Sequence, residues 1–275
     1  MSIVEIVKIL TSAGIEQSEA NAEVKMLIEH FCGYSAVDIV MGKRLDEGKL
    51  SIVKEKAQLR ARTRMPIQQI LGYAYFMGDK FKVSKDTLIP RDETEILARK
   101  AIDVINKNNL KSALDIGTGT GILACTIAKY TLSKSTALDV SDNALKIAEE
   151  NIKNLDLSEK VKTLKSNLFE KVSEKYDLIV SNPPYIPLSE KATIQKEVSF
   201  DPDLALYTKD EKGLEFYEKI SKNAKNYLNK NGYLLFEMGL GQSEDIKQTL
   251  EQEGYKNIQI EKDLAGIDRV IIAQI

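Results

Sequence analysis

LDIGTGTGIL, residues 114–123, decides how the rest of the chain is read. An apolar run stops on a carboxylate, three glycines alternate with threonines, and a second apolar run opens at helical spacing. That is a strand, a tight turn and a helix, and it begins a series. KSALDI, STALDV, VKTLK, YDLIVS and GYLLFEM follow as strands, with helical stretches such as ILACTIAKY and NALKIAEENIKN between the early ones. KNIQIEKD and RVIIAQI close the chain as two strands with only a short glycine-containing connection, which predicts a hairpin and so one antiparallel strand. Alternation of this kind implies an α/β fold, a mostly parallel sheet with helices on both faces.

Upstream the texture differs. Ile3, Ile6, Val7 and Leu10 form one apolar stripe, Ala22, Met26, Leu27, Ile28 and Phe31 a second, and Leu50, Val53, Ala57 and Leu59 a third. Turn signals at Ser12–Gly14, Gly33 and Asp46–Gly48 separate them, so residues 1–70 read as a small helical bundle. Lys54, Lys56, Arg60, Arg62 and Arg64 on its last helix read as a solvated face. Residues 71–90, rich in aromatic and β-branched side chains, read as a hairpin linker turning at Gly78–Asp79. Asp92 with Glu95 predicts a capping box for the helix that follows, within a third segment, 91–275.

Composition narrows the function. The 275 residues carry 39 Lys+Arg against 41 Asp+Glu, a balance that does not suggest a nucleic-acid coat. Two cysteines and one histidine make no zinc spacing, so no metal is expected. No run is long enough to span a membrane, and the N-terminus lacks the pattern of a signal peptide, so a cytoplasmic protein is expected.

The glycine loop itself reads G-x-G-x-G (Gly117, Thr118, Gly119, Thr120, Gly121), not the G-x-G-x-x-G of a nicotinamide site. Asp115 before it is a poor neighbour for a pyrophosphate and suits a cationic amino group. The second strand ends in Asp139, placed to bond ribose hydroxyls. The third leads to Asn167 and Leu168, an amide and an apolar side chain fit for the edge and face of an adenine. Ribose, adenine and a cationic amino acid without a pyrophosphate describe S-adenosylmethionine.

The fourth strand then ends on Asn182-Pro183-Pro184-Tyr185. Each residue before a proline is held extended, and neither proline has an N–H to close a turn. The Asn182 side-chain oxygen and the Pro183 carbonyl are therefore two fixed acceptors, matched to the two hydrogens of one planar NH2 group, with Tyr185 as an aromatic wall. Such a pair orients a weakly nucleophilic nitrogen and stabilises the positive charge that develops on it.

These motifs, with RTRMPIQQILGYAYFMG, TLIPRDETEIL, LDVSDNALKIAEENI, EMGLGQ and DLAGIDRVI in order, resemble the protein-(glutamine-N5) methyltransferases of class I peptide chain release factors. The resemblance covers nearly the whole chain. It implies a Rossmann-like seven-stranded methyltransferase sheet beside the N-terminal helical domain. Because every chemical motif lies beyond residue 70, that domain is expected to recognise the substrate. It implies methyl transfer from S-adenosylmethionine to the glutamine of a Gly-Gly-Gln loop. Carried over by position, Gly117 to Gly121, Asp139, Leu168 and Asn182 would contact the cofactor, and Asn182 to Tyr185 the glutamine, with Asn182, Pro183 and Tyr185 catalytic. A monomer without a nucleic-acid or membrane partner is expected. The alternative reading is an adenine-N6 nucleic-acid methyltransferase, since adenine also offers a planar NH2. Three positions depart from the family pattern: Asp92 stands for Pro, Asp201 for Glu in Phe-Glu-Pro, and Asn167 for Asp.

Overall fold

The computed structural model describes residues 2–35, 37–38, 41–43 and 46–275. They fall into two compact units, residues 1–73 with 195–200, and residues 74–194 with 201–275.

The first unit is helical. Ile3–Ser12 starts on a reciprocal capping box between Ser2 and Glu5. Gln17–Cys32 ends on Gly33 in the left-handed region. Asp46, expected in a turn, caps the helix Glu47–Thr63 by accepting from the Lys49 amide, and Ile67–Leu71 follows. Ile6, Leu10, Val24, Leu27, Ile28, Val53 and Ala57 make its core.

Two expectations fail here. The buried stripe of the second helix starts at Ala20 and runs through Val24 and Leu27, whereas Ala22 is exposed. And Arg60 is not on a solvated face: it is 2 % exposed and takes the inward position next to Leu59. Its guanidinium donates through Nε to both oxygens of the buried Glu23 (3.0 and 3.2 Å), and to Glu19, Glu197 and the Arg64 carbonyl. Five donors in a rigid fork meet three carboxylates, which lets a charge sit in a core. Burial pushes the Glu23 carboxyl up, and Arg60 beside it opposes that push.

In the second unit, Tyr73–Phe76 (β1, whose first residue closes the helical unit) and Asp79–Lys82 (β2) pair as a hairpin. The turn is Met77–Gly78, both at positive φ, one residue earlier than expected. Ser112–Ile116 (β3), Lys134–Asp139 (β4), Val161–Lys165 (β5) and Tyr176–Ser181 (β6) come next. Ile186–Pro187 (β7) pairs with Tyr207–Thr208 (β8) at the surface. Leu228–Glu237 (β9), Lys256–Lys262 (β10) and Asp268–Gln274 (β11) complete the chain. The main sheet has seven strands in the order β10-β11-β9-β6-β3-β4-β5, parallel except for β11, which is antiparallel to both neighbours. The fold class read from the alternation of strands and helices is the one observed.

Alternate residues of each strand feed two cores. Ala113, Leu178, Val180 and Leu235 face the helices Thr94–Asn108 and Ile122–Tyr130, together with Phe76 and Phe81 of the hairpin. Leu114, Ile116, Ile179, Leu234 and Phe236 face the helices Glu215–Ala224 and Ser243–Gln252. Both faces are covered, so the strands read as continuous apolar runs. The chain winds outward through β4 and β5, then returns to the other side of β3 to form β6. The carboxyl ends of β3 and β6 therefore flank a topological switch point, where open α/β sheets bind ligands.

Candidate active site

A cavity of about 310 Å³ lies at that switch point. Gly117 and Gly119 after β3, Asp139 at the end of β4 with Val140 after it, Asn167 and Leu168 after β5, and Asn182, Pro183 and Pro184 after β6 all line it. Register makes this convergence: Ile116 pairs with Leu138 on one side and with Ser181 on the other, so three strands end level.

The glycine loop is a cradle. Gly117 and Gly119 hold φ of 72° and 54°, which other residues rarely adopt, and a Cβ on either would meet nothing within 4 Å. The loop is pinned from below. The amides of Gly117 and Thr118 both donate to the Leu138 carbonyl (2.8 Å), and the Gly119 amide donates to Asp139 Oδ2 (2.9 Å). Asp139 Oδ1 accepts from the Ser141 amide (2.9 Å), so the carboxylate is fixed at the cavity wall, and burial pushes its pKa up.

Not every expected cofactor residue reaches the cavity lining. Thr118 turns inward and donates to Asp115 Oδ2 (2.5 Å), which also accepts from the Ala124 amide. The Thr120 carbonyl accepts from the Asn151 side chain (2.9 Å), and Gly121 packs against Ala148. These three shape the loop. Asp115 is buried and its other oxygen, Oδ1, has no hydrogen-bond partner. Burial pushes this carboxyl up to about 7. An orphaned carboxylate oxygen behind an open glycine cradle is what a cationic amino group would satisfy. The wall at Leu168, Phe216 and Ile220 is apolar and suits an aromatic base. Asn167 Nδ2 donates to Glu170 (2.7 Å), which leaves its amide oxygen as the acceptor. The residues present therefore fit S-adenosylmethionine.

Asn182 follows β6 with its Nδ2 toward the Thr94 hydroxyl (3.4 Å), so Oδ1 is the atom left over. Tyr185 lies outside the cavity lining. Its ring packs beside Gly239, its carbonyl accepts from Gln242 Nε2 (3.1 Å), and burial holds its hydroxyl up at about 12, with the Glu237 carboxylate adding to the push. Gln242 also donates to the Lys212 carbonyl and accepts from the Gly239 amide, so one amide fastens three loops.

The residues missed in the sequence lie in motifs whose roles were not read. Asp201, set aside as a departure, is 3 % exposed and accepts from the Ile89 amide (3.1 Å) and the Arg91 guanidinium (2.5 Å). It ties together the segments carrying Thr87 and Leu88 on one side of the cavity and Pro202 and Leu204 on another. The capping box expected at Asp92 is absent. Asp92 is exposed, and Glu95 accepts instead from the Met77 amide (2.8 Å) and Arg99. The helix starts one residue later than that box would set it, at Thr94.

Replacing Asp139 by alanine removes a charged acceptor from the cavity wall and frees the Gly119 amide. The expected result is weaker cofactor binding, by about 1.5–3 kcal/mol, the range for hydrogen bonds to a charged group. Calorimetric titration with S-adenosylmethionine checks it, and an unchanged Kd would remove Asp139 from the site.

Residues 92–198 match a family model described as the methyltransferase small domain. The fold is also that of a ribosomal protein L11 methylase from Lactobacillus delbrueckii subsp. bulgaricus. The TM-score is 0.53 at 22% identity, over 74% of this chain and 90% of that one. The class is thus the Rossmann-like methyltransferases. Within it, the chain is 42% identical over 238 residues to a release factor glutamine methyltransferase of Fusobacterium nucleatum, covering 85% of this chain and 67% of that one. It is 36% identical over 268 residues to one of Flavobacterium psychrophilum, covering 93% and 92%. The chain belongs to the release factor glutamine methyltransferase family. That membership does not favour the adenine-N6 reading. Among the described residues no helix is long and apolar enough to cross a membrane, and no group of three His, Cys, Asp or Glu is placed to hold a metal.

Proposed function

We propose that this enzyme methylates the side-chain amide nitrogen of a glutamine in a class I peptide chain release factor, the glutamine of its Gly-Gly-Gln loop. S-adenosylmethionine, when bound, supplies an electrophilic methyl group. The observation that carries the reading is that Asn182 and Pro183, at the end of β6, line the same cavity as a cradle fit for that cofactor. Asn182 has its NH2 engaged with Thr94, which leaves Oδ1 as an acceptor, and Pro183 lines the same cavity.

The chain's own residues then have distinct tasks. Gly117 and Gly119 cradle the amino-acid end, Asp139 holds the ribose, and Leu168 holds the base. Asn182 Oδ1 and the Pro183 carbonyl each accept one hydrogen of the glutamine NH2. This fixes the nitrogen and stabilises the charge that grows on it as its lone pair is drawn away from the amide. Tyr185 backs the Asn-Pro-Pro segment from outside the cavity lining. The methylated amide, far more acidic while it carries the charge, loses its proton to solvent, so no dedicated base is required. Residues 1–70 recognise the release factor, residues 71–90 form the linker, the enzyme works as a monomer, and it acts in the cytoplasm.

The test is incubation with labelled S-adenosylmethionine and purified release factor, followed by peptide mass spectrometry. One methyl on the glutamine of Gly-Gly-Gln is expected, with none on DNA or RNA. Label in nucleic acid, or on another residue of the release factor, would overturn the reading.

A further inference from the structure

We infer that Glu237 is a positioning residue for methyl transfer, holding the Asn182 amide in the one orientation that presents its oxygen to the substrate. This rests on the reading above, in which Asn182 Oδ1 accepts from the glutamine NH2.

Glu237 is the last residue of β9, Thr94 the first of the helix Thr94–Asn108, and Asn182 the first after β6. Three separate elements bring them together. Glu237 is 3 % exposed and Thr94 is 2 % exposed. Ser181 pairs with Phe236 where β6 runs parallel to β9, so the next residues, Asn182 and Glu237, emerge side by side. Asn182 and Thr94 both oppose the upward push that burial gives the Glu237 carboxyl, and its Oε2 is buried with no partner. The Asn182 NH2 also reaches the Thr94 hydroxyl at 3.4 Å. A hydroxyl that accepts from the amide is free to donate to the carboxylate. Asn182, Thr94 and Glu237 thus form a short relay with a definite donor sense.

That sense has a chemical use. The two ends of an asparagine amide are nearly the same size, so only its neighbours decide which faces the cavity. An ionised carboxylate attracts the NH2 and repels the oxygen, which sends Oδ1 to the substrate side. A protonated carboxyl also donates, and so tolerates the reversed amide, whose NH2 would face the glutamine NH2 with no acceptor. A buried orphan oxygen is costly, and a neutral or apolar residue would fill this strand end at less cost if packing were its only task.

Burial pushes the Glu237 carboxyl up to about 7, placing its titration inside the working range. The groups facing it are Glu93 before the helix, which pushes the same way, and Arg269 on β11, which opposes. Tyr185 and Tyr217 lie within its field, and the Tyr217 hydroxyl donates to the Glu237 backbone carbonyl (3.0 Å). Because the ionised form is the ordering one, transfer is full above that pKa and lost as pH falls through it.

The experiment compares kcat/KM against pH for wild type, Glu237→Gln, Thr94→Val and Thr94→Ser, since kcat/KM reports groups of the free enzyme. Wild type is expected to lose activity below about pH 7. Glu237→Gln is expected to lose kcat by about a hundredfold, as misplacement of a reacting group does, and to lose the acid limb. Its Kd for S-adenosylmethionine and its thermal midpoint should be kept. Thr94→Val should lose kcat in the same way and Thr94→Ser should recover it, which decides the matter if Glu237→Gln does not fold. Asp115 also titrates near 7, and only the disappearance of the limb in Glu237→Gln assigns it to Glu237. A Glu237→Gln enzyme with wild-type kcat, or with the limb intact, overturns the inference. If Asn182→Ala also keeps full transfer, the reading of the acceptor pair has failed; if Asn182→Ala loses it, only the role of Glu237 has.

Discussion

Asn182→Ala is expected to lower the single-turnover rate of methyl transfer by about a hundredfold to a thousandfold, the cost of one preorganised contact to developing charge. In energy that is about 2.7–4 kcal/mol. The loss should fall on kcat, because a contact to the amide NH2 strengthens only as charge builds on nitrogen. Binding of S-adenosylmethionine should change little, since Gly117, Gly119, Asp139 and Leu168 remain in the cavity wall. Asn182→Asp is the sharper companion. It keeps an acceptor oxygen but places a second carboxyl against Glu237, which is already buried and pushed up to about 7. Two such groups share a proton, so the variant should bind cofactor, transfer slowly, and gain activity only at higher pH. Rapid-quench kinetics at saturating release factor separates turnover from binding. Wild-type rates in both variants would mean that the Asn-Pro-Pro-Tyr segment only ends a strand.

Arg60→Met is expected to destabilise the helical unit by about 3–5 kcal/mol, the usual cost of removing one partner of a buried ion pair. The residue left behind is Glu23, 4 % exposed and held mainly by both of its bonds to the Arg60 Nε. Without the guanidinium, Glu23 must take up a proton or drag water into the core around Val24 and Ala57. Glu19 and Glu197 also lose their shared partner, although Arg64 still pairs with Glu197. The double variant Arg60→Met with Glu23→Leu should recover much of the loss, because it removes the orphaned charge. Chemical denaturation followed by circular dichroism measures the change. Since every residue proposed for the cofactor lies in the other unit, S-adenosylmethionine binding should persist while methylation of intact release factor falls. Full methylation by an enzyme whose helical unit has melted would end the proposal that residues 1–70 recognise the substrate.

Arg60 also shows why the sequence was misread there. Five basic residues at positions 54–64 look like one solvated face, because charge runs usually are. Only the fold places Glu19, Glu23 and Glu197 around one of the five, and Glu197 is 137 residues away in the chain. The capping box expected at Asp92 failed for a related reason. Glu95 had the right spacing, but the hairpin brought the Met77 amide within 2.8 Å and captured its carboxylate. Local pattern lost to a tertiary partner in both places.

What the sequence determined by itself was whatever depends on the nearest few residues. Strand and helix order follows from hydrophobic periodicity, and the glycine turn from backbone freedom at Gly117 and Gly119. The extended bias of the backbone at Asn182 and Pro183 follows from the two prolines. Tertiary structure decided which of those residues share a surface. It turned Thr118 and Thr120 into the loop and put Tyr185 behind the cavity wall. It made Asp201 a tie between two walls, and it set Glu237 and Thr94 against the Asn182 amide. The physical reason is range. A turn or a strand is settled by sterics within a few bonds. The direction of an amide, or the tolerance of a buried charge, is settled by hydrogen-bond partners that the chain delivers from distant elements.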